Sequence, residues 1–162
     1  MCRVDCRNPG PLEAKSEREA EWLAKHRYPT AQEESYLRSA PLDLIQQESQ
    51  MGNPAAAVEL GRRTALSGQF GEGLTLLRNQ ALSGNLYSYY SLSEISKTVP
   101  VKSVIEPAAY LRLAYLLGDV KAAEVISAME LSSVELAAAD ARAMHLYNGF
   151  AGSQAPDPRP QE

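Results

Sequence analysis

The pair Gly-Asn or Gly-Asp occurs three times in this chain, at Gly52-Asn53, Gly84-Asn85 and Gly118-Asp119, at intervals of 32 and 34 residues. A period of that size is the signature of stacked supersecondary units, each too small to bury its own apolar face. With the three starts aligned, the fifth position holds Ala56, Ser88 and Ala122, the ninth Leu60, Leu92 and Ile126, and the tenth Gly61, Ser93 and Ser127. Positions five and nine are four apart and share one face of a helix. A small residue at five lets a neighbouring helix approach, and a large one at nine fills the space between units. The glycine takes a left-handed C-cap cheaply, and the Asn or Asp beside it caps the helix that follows.

The second half of each unit repeats as well. Leu44, Leu76 and Tyr110 stand eight places before the three glycines, and Arg78 and Arg112 stand six places before the second and third. The matching arginines either face solvent or bridge to a neighbouring unit. Upstream, residues 13–26 form an amphipathic, charge-rich helix that Pro29 stops. Thr30 with Glu33 fits a capping box, and Pro41 suits the first turn of a helix running to Met51. The one β-like stretch, Val99-Pro100-Val101, carries a proline that rules out a central strand.

The units resemble the Sel1-like repeat family, relatives of the tetratricopeptide repeats. The best match runs from Gly52-Asn53-Pro54-Ala55-Ala56 to Leu60-Gly61. Ala109-Tyr110-Leu111-Arg112-Leu113-Ala114 up to Gly118 is similar to the second half, with Tyr110 where the family has tryptophan. The resemblance covers about residues 42–149. It implies an all-α, right-handed α-solenoid of antiparallel helix pairs. The expected layout is a flexible tail over 1–12, a helical cap over 13–51, repeats over about 52–83, 84–117 and 118–150, and a flexible, proline-rich tail over 151–162. The segment Lys97–Ser103 departs from the family's glycine-rich turn, and the second helix of the third unit, near Val134 to Tyr147, has no clear register. Members of the family are adaptors or regulators of other proteins, often in bacterial signalling or secretion and in endoplasmic-reticulum assemblies. A non-catalytic protein–protein interaction role is therefore what the resemblance implies.

Composition narrows the partners. The 162 residues carry a net charge of -4, against the dense basic face that a nucleic-acid backbone requires. No run approaches the roughly 18 apolar residues of a membrane span, so membrane insertion is not expected. The first residues lack the apolar core of a signal peptide, which leaves a cytoplasmic protein or a periplasmic one that has lost its export signal. Cys2 and Cys6 are either exposed thiols in a tail or the start of a processed lipoprotein. They are too close together for a bridge that staples a domain.

Catalytic groups are sparse. His26 and His145 have no evident partners in the sequence, and no metalloprotease, P-loop or nucleophile-elbow motif occurs. No metal or cofactor is expected. Gly68, Gly71 and Gly73 read as a turn between helices, not as a phosphate cradle, since no strand precedes them and no lysine follows. The distinctive feature is aromatic: Tyr87, Tyr89, Tyr90, Tyr110 and Tyr115 fall in one unit. Tyr90 and Tyr110 match core positions. Tyr87 and Tyr89 are groove candidates, and Arg62 and Arg63 on the adjacent first helix flank them. Arg62, Arg63, Tyr87, Tyr89 and Glu94 together form an expected partner-binding face for an acidic or C-terminal peptide. The competing readings are an inhibitor or immunity-like protein for one enzyme or toxin, and a helical domain that senses a small molecule.

Overall fold

The computed structural model describes residues 10–98 and 103–161, so Cys2, Cys6 and the Val99–Val101 segment lie outside the described residues. Among those residues the chain is all-helical, with no strand. The helices are α1 (Glu17–Lys25), α2 (Ala31–Ser39), α3 (Leu42–Gln50), α4 (Pro54–Leu66), α5 (Phe70–Leu82), α6 (Ser88–Ser96), α7 (Ile105–Leu116), α8 (Lys121–Ser127) and α9 (Ser133–Leu146), with a short π-helix over Tyr147–Ala151. From α3 to α8 neighbours in sequence pack on one another, and α7 also packs on α9.

The repeated glycines act as the sequence demands. Gly52, Gly84 and Gly118 have φ of 91°, 91° and 122°, a region closed to most side chains. At each, the residue after the glycine donates its N–H to a carbonyl five residues back: Asn53 to Glu48 (3.0 Å), Asn85 to Gln80 (3.0 Å) and Asp119 to Ala114 (2.9 Å). This is the Schellman closure of a helix end, made three times. The fifth-position residues Ala56, Ser88 and Ala122 are all wholly buried. The matching arginines both reach forward by one unit. Arg78 donates to the Tyr110 hydroxyl (3.0 Å), and Arg112 pairs with Asp140 on α9 (2.8 Å). α9 opens on a complete capping box between Ser132 and Glu135.

Boundaries shift where capping chemistry decides them. Ser16 caps α1, which therefore starts four residues later than the charge pattern suggests. The helix ends at Lys25 with His26 as its cap residue, and Arg27, at a φ of 65°, lets Tyr28 N–H close on Leu23 O at 2.9 Å. Thr30 accepts from Glu33 N–H (3.1 Å), whereas the Glu33 carboxylate turns to the Asn53 amide (3.4 Å). Pro41 is the cap residue of α3, not its first turn.

Two apolar clusters form. The smaller joins Leu37, Ala40, Ile45, Ala55 and Ala56, with Leu44 and Leu60 against it. The larger runs from Trp22 and Leu23 through Leu77, Leu92 and Tyr110 to Ala143 and Leu146. Gly73 sets the tightest crossing: a Cβ there would run into Ala65 N and Gly61 O across the α4–α5 interface. Gly68, Gly71 and Gly73 thus serve a helix-to-helix turn and its packing.

Two stability measurements follow. Leu92→Ala, at a wholly buried site, costs about 2–5 kcal/mol in chemical denaturation, and Leu60→Ala costs less because Leu60 is only partly buried. Gly73→Ala overpacks the α4–α5 crossing and lowers stability by about 1–3 kcal/mol or more.

Candidate functional site

The five residues of the expected binding face are placed on α4, on α6 and just before α6, but most of them are committed to the fold. Arg63 turns inward and donates to the carbonyls of Leu37 (2.9 Å), Arg38 (2.8 Å) and Ala40 (2.7 Å), closing the C-terminal end of α2. It also pairs with Glu59 (2.8 Å). Tyr89 is wholly buried, its phenol pushed up in pKa by burial and then by Tyr110. Tyr87 is buried as well, its ring tilted against Tyr28 at 5.6 Å and stacked on Tyr90 at 6.2 Å. Arg62 and Glu94 approach to 3.5 Å, and Arg38 reaches Glu94 at 3.3 Å. The crevice lined by Arg38, Glu59 and Tyr87 holds about 10 Å³, the size of one water. Tyr89 thus has no exposed surface, and the Arg63 guanidinium is hydrogen-bonded within the fold.

The structure builds a different site, around Asp119. At the first two repeat starts the side-chain amide donates to a residue five places back, Asn53 to Glu48 and Asn85 to Gln80, each at 3.3 Å. At the third start the amide is replaced by a carboxylate, which only accepts. Asp119 is wholly buried. It caps α8 through Lys121 N–H (3.1 Å) and accepts from the hydroxyls of Tyr28 (2.5 Å) and Tyr90 (2.7 Å). Its positive partner is Arg159, in the proline-rich segment at the far end of the chain (3.1 Å).

That segment, expected as an unpacked tail, is seated between α1 and the α7–α8 corner. Arg159 is 2% exposed and makes four hydrogen bonds besides its position over the Trp22 ring (5.6 Å). It donates to Glu19 (2.7 Å), to Asp119, and to the carbonyls of Pro11 (2.8 Å) and Glu13 (3.0 Å). A guanidinium has five N–H groups, so the site nearly saturates it. Prolines 156, 158 and 160 have no N–H to satisfy, and the two residues between them use theirs: Asp157 donates to Leu117 O (3.0 Å) and Arg159 to Gly118 O (2.9 Å). Trp22 Nε1 donates to Asp157 O (2.9 Å), and the Asp157 carboxylate meets Lys25 and His26, both at 2.7 Å. A side chain at Gly118 would run into the Asp157 carbonyl, so this repeat glycine also gives the tail its bed.

Charges of both signs meet the segment: Glu19 and Asp119 face Arg159, and Lys25 and His26 face Asp157. Burial pushes the Glu19 carboxyl up, but the Lys15 backbone N–H and Arg159 outweigh it and hold the group below the usual carboxylate range. Burial lowers Arg159, and Asp119 and Glu19 more than restore it. Hydrogen bonds from Lys25 and then His26 hold Asp157 low. Tyr28 and Tyr90 are pushed well above the ordinary phenol value, first by burial and then by the Asp119 charge.

Sequence reasoning missed this site because Arg159 lies 40 residues from Asp119 and 140 from Glu19, and three alternating prolines read as a solvated end. One signal was present: Asp119 is the sole acid among the three repeat starts. His26, which lacked an evident partner in the sequence, pairs with Asp157 of this segment. Among the described residues no group of His, Cys, Asp and Glu is placed to hold a metal, and no helix is long and apolar enough to cross a membrane. The chain matches no family model, no curated protein and no solved structure.

Arg159→Ala leaves Asp119 and Glu19 buried without their cation and costs about 3–5 kcal/mol in denaturant unfolding. A pH effect accompanies the two phenols. Their folded pKa values lie above the unfolded value near 10, so the stability they confer is complete below that pH and is lost as pH rises through the folded values. Phenolate absorbance of Tyr28 and Tyr90 therefore develops together with unfolding, not ahead of it.

Proposed function

We propose that this chain is a non-catalytic, protein-binding helical domain built from Sel1-like helix pairs, acting as an adaptor or regulator of another protein. The reading rests on one observation: the helices envelop an extended segment through paired backbone hydrogen bonds and a buried arginine. That is how a domain holds a linear peptide, with backbone bonds supplying affinity and one side-chain pocket supplying selectivity. The repeated Schellman corners and the forward-reaching arginines support the helix-pair part of the reading. The buried charges around Asp119 are satisfied by hydrogen bonds and hold a side chain in place. They are not arranged as a nucleophile beside a base.

A second reading has one observation behind it. A cleft of about 440 Å³ between α5 and α9 is lined by Arg78, Arg142 and His145 with Leu82 and Leu146, a volume in the range of small-molecule sites. Arg142 is already engaged by Glu106 through two bonds of 2.8 and 3.0 Å, which leaves less charge for an anionic ligand than the residue types suggest. The peptide-binding reading is therefore the stronger one.

The test is selection of linear segments from an unbiased display library on the intact chain, with hydrogen exchange of the selected complexes to place each contact. Enrichment of a sequence class that protects a helical face supports the domain's role. A library that yields no segment binding at micromolar concentration sinks it, and saturable thermal stabilisation by an anionic metabolite would favour the cleft instead.

A further inference from the structure

We propose that the groove between α1 and the α7–α8 corner recognises, in another protein, a segment in which an arginine stands between prolines, and that the chain's own Pro156–Pro160 is a resident copy of that ligand. The inference rests on the protein-binding reading above and names the partner's chemistry.

The groove dictates the ligand position by position. Asp119 and Glu19 accept from one guanidinium from two sides, while Pro11 O and Glu13 O take two more of its N–H groups. Lysine, with three donors on a point, cannot span these acceptors, whereas a planar fork does. The Trp22 face covers the guanidinium. Only two backbone N–H groups find acceptors, at Leu117 O and Gly118 O, two ligand residues apart. The alternate positions contribute no donor, and proline suits them because it has none to leave unsatisfied. Prolines also hold the ligand extended before binding and reduce the entropy lost on docking. The residue before the central proline faces Lys25 and His26, which favours an acid. The expected ligand is thus Pro-Asp-Pro-Arg-Pro or a close variant.

The groove also extends past the described end of the segment. A cavity of about 300 Å³ lined by Lys15, Glu19, Val120, Lys121 and Glu124 opens at Pro160 and Gln161, so a longer segment has room to continue. Occupancy by the tail makes this a competition. A tethered segment acts at an effective concentration of order millimolar, which a free ligand must overcome.

Trp22, the single tryptophan of the chain, bonds the tail directly and reports on occupancy. The full-length Arg159→Ala variant is titrated with the capped peptide Ala-Pro-Asp-Pro-Arg-Pro-Gln, with Trp22 fluorescence and melting temperature as readouts. Saturable binding that raises the melting temperature, and at least tenfold weaker binding of the same peptide with alanine or lysine for arginine, is the expected result. If Arg159→Ala does not fold, full-length Asp157→Asn replaces it: this variant loosens only the partly exposed Lys25 and His26 contacts, and the peptide binds it more tightly than it binds wild type. No binding at millimolar peptide, or equal binding of the substituted peptides, overturns the proposal. So does displacement seen only as concentration-dependent dimerisation through exchanged tails. Should the display library return segments without arginine that protect other faces, the protein-binding reading stands and this inference fails. Should no segment emerge while the tail peptide still binds in trans, the ligand chemistry stands and the wider role fails.

Discussion

The charge on Asp119 organises this molecule. A carboxylate removed from water must find donors or give up its charge, and here the donors come from four separate parts of the chain: Tyr28 after α1, Tyr90 on α6, the start of α8, and Arg159 in the final segment. Each is held where it is partly by this shared acceptor. A buried ion pair by itself is weak evidence of stability, since desolvation offsets much of its attraction. What this one adds is placement. An arginine that must reach two carboxylates and two carbonyls fixes its backbone to within a narrow range.

Nature's choice between asparagine and aspartate at one recurring position separates structural corners from the site. Asn53 caps α4 and donates to Glu48 and Glu33, and Asn85 donates to Gln80 and to the Pro54 carbonyl; neither amide meets a cation. Asp119 keeps the capping bond to Lys121 N–H but has a second oxygen free to accept. Where the two amides donate, the carboxylate only accepts, and Arg159 meets it, while the corner hydrogen bond is the same at all three positions.

Much of the helical architecture was legible in the sequence. The glycine spacing located three corners because a left-handed residue is hard to supply any other way, and the small residues at the fifth position marked buried contacts. The aromatic cluster was visible too, but its direction was not. Tyr87 and Tyr89 lie on and beside the first turn of α6, where a small rotation decides between solvent and core, and periodicity over one turn does not resolve it. Arg62 and Arg63 are adjacent in sequence, yet Arg63 closes the end of α2 while Arg62 lies against Glu59 and Glu94. The tail was illegible for a different reason. Its apolar content is low, and what holds it is a handful of directional bonds to residues far away in the chain, which composition does not register.

The Arg159 guanidinium bonds the carbonyls of Pro11 and Glu13 as well as the acids, so the two ends of the described chain meet at one side chain. Linear arrays of helices ordinarily fray from each terminus independently, because each unit touches only its neighbours. Here the first and last segments share a clasp, and neither end can peel away without releasing the other. The helices between them are closed by one clasp, and a change that opens it frees both terminal segments together.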